Sequence, residues 1–107
     1  MEPRTPELVQ QVLIESILQC VQDGDIRIAV NRVRGSLEVL DLDLDSLGGI
    51  NLAVAFLTKF TERTGQMIGD DKADSVMDVL FDVRDAEGGT VSQASTRIFK
   101  LLSPKAA

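Results

Sequence analysis

The chain has no histidine, no tryptophan and no tyrosine, and one cysteine among its 107 residues. Without histidine it can build neither a Ser–His nor a Cys–His nucleophile pair, and no imidazole can ligate a metal. Acid–base work would fall to carboxylates or lysines. Four phenylalanines are the whole aromatic complement, too few to line a stacking pocket. The lone Cys20 excludes an internal disulfide framework and fits a reducing, cytoplasmic setting. It falls within an apolar helical pattern and reads as a small core hydrophobe. The opening MEPRTPEL has no charged-then-apolar targeting pattern. No apolar run reaches the ~18 residues a membrane span needs, so no membrane partner is expected.

What is present is enough apolar material to fold: 44% of residues, in a chain of single-domain length. The formal charge of −6 argues against nucleic acid as a partner, because phosphate contacts require clustered Lys and Arg. It suits association with basic protein surfaces.

Thr5-Pro6-Glu7 is a helix start, with a capping hydroxyl, proline at the first helical position and an early acid. Leu8, Val9, Val12, Leu13, Ile17 and Val21 follow at helical spacing until Asp23-Gly24. Between Asp25 and Leu40, Ile26, Ile28 and Val30 alternate as in a strand, but the sequence offers that strand no partner. The expectation is a long loop pinned to the core by its apolar residues. Arg27, Arg32 and Arg34 make it the most basic stretch, either a solvated face or a docking patch. A second helix is expected from Ser46 to about Arg63, with Leu52, Phe56 and Phe60 on one face and Gly65 as its stop. A third follows the acidic run Gly69-Asp70-Asp71, carrying Val76, Val79, Leu80 and Val83 with Ser75 or Asp74 as cap. After Gly88-Gly89, Thr90 and Gln93 form a capping box for a last amphipathic helix bearing Val91, Ala94, Ile98 and Leu101, closed by Ser103-Pro104. The fold class is all-α: a small bundle of three main helices (about 5–84) with an extra C-terminal helix (about 90–102).

The stretch DLDLDSLGGI, Asp41 to Ile50, is the densest candidate for chemistry. As an EF-hand loop it has Asp41, Asp43 and Asp45 at the first three ligand positions. Ser46 then replaces the turn glycine and Leu52 the bidentate glutamate, so half the shell is missing. LEVLDLDLDS also resembles the start of a haloacid-dehalogenase-type phosphatase. The downstream lysine, further acidic ligands and wound α/β sheet of that class do not fit this chain. No metal site is expected.

LDLDSLGGINLAVAFLTKF, together with SVMDVLFDV further on, resembles the acyl carrier protein family of acyl, aminoacyl and peptidyl carriers. The resemblance covers roughly Thr5 to Arg84. It implies that Ser46, within the triplet Asp45-Ser46-Leu47, is esterified with 4′-phosphopantetheine by a phosphopantetheinyl transferase that recognises Asp45 and Leu47. The arm would hold cargo as a thioester. Loading ligases and downstream synthases would be the further partners, contacting Leu47, Ile50 and Val54. Such a protein performs no catalysis of its own and is expected to be monomeric. A helix N-terminus suits the phosphodiester, because free N–H groups and the dipole favour an anion there. The competing reading is that Ser46 merely caps or begins a helix of a non-catalytic interaction module.

Three departures from the family pattern stand out. Asp43 occupies a position where the family commonly has glycine. Gly48 and Gly49 open helix two at about 1 kcal/mol each relative to alanine; they allow a flexible attachment, a close approach of a partner backbone, or a frayed helix start. The second helix has no acid between Ser46 and Thr61, the acidity lying ahead of the serine at Glu38, Asp41, Asp43 and Asp45. That directs the expectation toward a specialised biosynthetic pathway rather than generic fatty-acid partners. Leu47, Ile50, Val54 and Leu57 form a second apolar stripe, expected to be exposed. The C-terminal helix would otherwise cover it, join the bundle or mediate self-association.

Overall fold

The computed structural model describes residues 5–66, 68 and 71–102, and its described residues form four α-helices and two short 3₁₀ turns. Helix α1, Pro6–Gln22, begins as its sequence predicts: Thr5 Oγ1 accepts from the Leu8 amide at 3.1 Å, with Pro6 in the first turn. It ends where Gly24 adopts a left-handed backbone (φ 85°) and the amides of Asp25 and Ile26 donate to the Cys20 carbonyl. Ser16, buried on its inner face, donates to the Val12 carbonyl and so leaves no orphaned hydroxyl.

Residues 25–45 contain no strand. The 3₁₀ turns Val30–Arg32 and Val39–Leu42 punctuate the connection, and Ile26, Leu37, Val39, Leu42 and Leu44 hold it to the core. Val30 is 61% exposed, so the alternation seen in sequence does not become a buried face. The connection is ordered by bonds borrowed from the turn between the last two helices. Val39 donates to the Gly89 carbonyl, Val91 to Leu37 and Ser92 to Gly35, around a single antiparallel bridge between Glu38 and Thr90.

Helix α2, Ser46–Thr64, ends at Gly65, whose φ of 71° satisfies the left-handed stop. Phe56 and Phe60 stack 5.6 Å apart on its core side. Helix α3 runs Asp71–Asp85, starting ahead of the expected cap: Asp74 and Ser75 lie inside the helix, because Lys72 and Ala73 extend it and Ala73 adds to the buried face. Asp71 and Asp74 complement its positive end. Gly69 and Asp70 lie outside the described residues, as do Ser103 and Pro104.

Helix α4, Val91–Leu102, opens with the capping box, Thr90 and Gln93 exchanging side chain-to-amide bonds at 3.1 and 3.2 Å. Leu102 rather than Leu101 completes its buried face with Val91, Ala94 and Ile98. Each helix packs on two others: α1 on α2 and α4, α3 on α2 and α4. The C-terminal helix therefore closes the bundle and leaves the outer side of α2 open. No helix among the described residues is long and apolar enough to cross a membrane.

Candidate functional site

The approach to Ser46 is built by alternating burial. In the turn Val39–Leu42, Val39 and Leu42 face inward and Leu40 outward; Leu44 returns to the core. Between them Asp43 takes φ 51° and ψ 47°, the one non-glycine left-handed residue among those described. A short polar side chain tolerates this region better than a branched one. Glycine would adopt this backbone at no steric cost.

Asp45 is extended and caps α2. Its Oδ1 accepts from the Gly48 amide at 2.6 Å, while its carbonyl accepts from Gly49 at 2.8 Å. Ser46 is the first helical residue and is exposed. Its hydroxyl makes no hydrogen bond to a described residue, and the N–H groups of the first turn beside it have no intrahelical acceptor.

Beneath the serine, α3 meets the start of α2. A Cβ built on Gly49 would lie 2.5 Å from Phe81 Cζ, so the ring occupies space that only glycine leaves. The Arg84 guanidinium stacks 4.6 Å from the centre of that ring, and its Nη1 donates to the Leu44 carbonyl at 3.1 Å. Arg84 also holds Asp85 at 2.9 Å, and this hydrogen bond lowers the Asp85 carboxyl from its usual range. A Cβ built on Gly48 would lie 3.1 Å from the capping Asp45 Oδ1. The paired glycines therefore serve packing and capping within the chain, in a helix that is regular from Ser46 onward.

Along the outer side of α2, Leu47 is 67% and Val54 50% exposed, while Ile50 is half-buried. Leu57, expected in the same stripe, is buried against the core, because it shares the inner face with Ala53 and Phe60. Val54 stands between two clefts. One, about 430 Å³, lies between α1 and α2 and is bordered by Cys20, Asp25, Asn51 and Lys59. The other, about 310 Å³, lies between α2 and α3 over Leu57, Thr61, Ile68 and Ala73.

Glu38, Asp41, Asp43 and Asp45 are all exposed ahead of the serine. Arg32 reaches Asp41 at 3.2 Å; Arg27 and Arg34 are exposed on the same connection. No three His, Cys, Asp or Glu side chains among the described residues are arranged to hold a metal ion. Cys20 is buried, and desolvation with Asp25 and Asp23 nearby pushes its thiol up to about 11. It is no nucleophile at neutral pH.

The fold thus brings Asp45, Ser46 and Leu47 together at one exposed helix start, with Val54 further along the same outer side. Phe81 and Arg84 were not singled out in the sequence, since their partners Gly49 and Leu44 lie far away along the chain. The unexplained glycine pair was the only trace of that contact. No protein-family model, curated protein or solved structure matches the chain.

Proposed function

We propose that this protein is a free-standing carrier that holds an acyl or aminoacyl group as a thioester on a 4′-phosphopantetheine arm attached to Ser46. The observation that carries the reading is the division of labour at the head of α2: Asp45, not Ser46, caps the helix, leaving the serine exposed and its hydroxyl free of any bond to a described residue. The left-handed backbone of Asp43, where the carrier pattern commonly has glycine, supports the same reading.

The residues suit the group. The phosphodiester would lie at a helix N-terminus where Asp45 takes the Gly48 amide, the Ser46 and Leu47 amides donate to no described residue, and the dipole favours an anion. When bound, the arm supplies the terminal thiol that carries cargo. Ser46 Oγ takes the phosphopantetheinyl group from coenzyme A, its proton passing to the transferase's base and adenosine 3′,5′-bisphosphate leaving. Asp45 presents the serine by fixing the helix start, and exposed Leu47 offers the neighbouring apolar contact. Leu47, Ile50 and Val54 are the surface for loading and downstream enzymes of a specialised pathway. The chain contributes no catalytic group of its own.

Incubation with coenzyme A and a broad-specificity phosphopantetheinyl transferase, followed by mass spectrometry, tests the reading. A gain of one phosphopantetheine that vanishes in Ser46→Ala is expected; no gain with several transferases overturns it. The exposed Leu47 and Val54 equally favour a second reading, a helical interaction module with no prosthetic group. That reading predicts no mass gain and retained partner binding in Ser46→Ala.

A further inference from the structure

Leu40 is displayed rather than merely left outside. It is 60% exposed, yet its neighbours Val39 and Leu42 are buried at 0% and 2%, and the Val39 amide is anchored to the Gly89 carbonyl at 2.9 Å. The Asp43 amide donates to the Leu40 carbonyl, closing the turn that holds the side chain outward. With Leu47, 67% exposed just beyond Ser46, it gives the serine an apolar residue on each side in the chain. Around them stand the exposed carboxylates of Glu38, Asp41, Asp43 and Asp45, opposed in part by Arg32, which pairs with Asp41, and by Arg34, which borders the same cleft as Glu38 and Asp41.

We propose that Leu40 is an anchor for the enzyme that modifies Ser46, seated in an apolar recess of that enzyme with a cationic rim meeting the four carboxylates. The inference rests on the carrier reading and names the chemistry of its partner surface. Charge complementarity selects the occupant. An enzyme that delivers a group from coenzyme A must hold the pyrophosphate and 3′-phosphate, so cationic side chains lie beside its reaction centre. A second copy of this chain would instead oppose carboxylates with carboxylates.

The test is initial-rate labelling by coenzyme A and a broad-specificity transferase, varying the carrier concentration. Leu40→Ser, at an exposed position, keeps its helical circular dichroism. It should raise KM about tenfold, the loss expected for one buried leucine, with kcat within about twofold. Glu38→Gln with Asp41→Asn should raise KM and flatten its increase with salt, whereas Asp78→Asn on α3 should change neither. A wild-type chain that accepts the arm while Leu40→Ser labels with unchanged KM overturns this inference alone. A wild-type chain that is never labelled overturns the carrier reading as well. An equal effect from Asp78→Asn overturns the local rim, and a dimer dissolved by Leu40→Ser assigns the patch to a second copy.

Discussion

Phe81 fills the place that a side chain at Gly49 would need, its Cζ 2.5 Å from an ideal Cβ there. Alanine improves intrinsic helix propensity by about 1 kcal/mol, but at Gly49 it must displace the ring and the guanidinium stacked on it. Gly49→Ala is expected to destabilise by about 1–2 kcal/mol net, and more than Gly48→Ala, whose new Cβ meets only the cap oxygen closely. Urea denaturation of the two variants checks the ranking. A more stable Gly49→Ala would contradict the packing role.

Arg84 joins the end of α3 to the residue before the cap. Arg84→Ala removes the bond to the Leu44 carbonyl and the contact with Phe81, for an expected loss of about 1–2 kcal/mol. Arg84→Lys should recover only part of it, since an ammonium cannot both stack flat on the ring and keep the planar donor geometry. Denaturant midpoints for both variants measure this.

The cap and the serine beside it should separate cleanly. Asp45→Ala is expected to cost about 1 kcal/mol of stability, because the Gly48 amide loses its acceptor. Ser46→Ala should leave the midpoint within about 0.5 kcal/mol, as exposed substitutions without a specific role do. Equal losses would mean that the serine shares the capping.

At Asp43 the backbone is left-handed, so Asp43→Val should destabilise by about 1–2 kcal/mol, whereas Asp43→Gly should be tolerated. Thermal unfolding of the pair decides it.

Burial, with Asp25 and Asp23 adding to it, raises the Cys20 thiol from its ordinary 9.0 to about 11. The folded chain therefore keeps this proton at pH values where the unfolded chain has lost it. The corresponding stability is fully present below about pH 9 and is lost as pH rises toward about 11. Urea titrations across that range should show a decline that Cys20→Ala lessens. At pH 8 iodoacetamide should leave the folded protein unmodified and react as it unfolds.

The helices were legible because their signals are local. Thr5 caps α1, Gly65 stops α2, and Thr90 with Gln93 opens α4, each within a turn of its partner. What stayed hidden depends on distance along the chain. Phe81 against Gly49, and Arg84 on the Leu44 carbonyl, leave no periodicity to read. The start of α3 was misplaced because its apolar face begins after a polar turn that tertiary packing of Ala73 recruits. Leu57 was assigned to the outer stripe because it is spaced from Val54 as a neighbour would be, yet it also adjoins the Phe56–Phe60 face, and the core claimed it. Ser46, Asp45 and Leu47 were legible as a motif; that Asp45 alone does the capping was not.

The bridge between Glu38 and Thr90 sets an order of events during synthesis. The long connection ahead of Ser46 takes its backbone partners from Gly89, Val91 and Ser92, residues that leave the ribosome well after the serine does. A chain halted before that turn has the residues of α1 and α2 but lacks the anchors of the connection between them. The surroundings of the serine are therefore complete only once residues 89–92 have joined them.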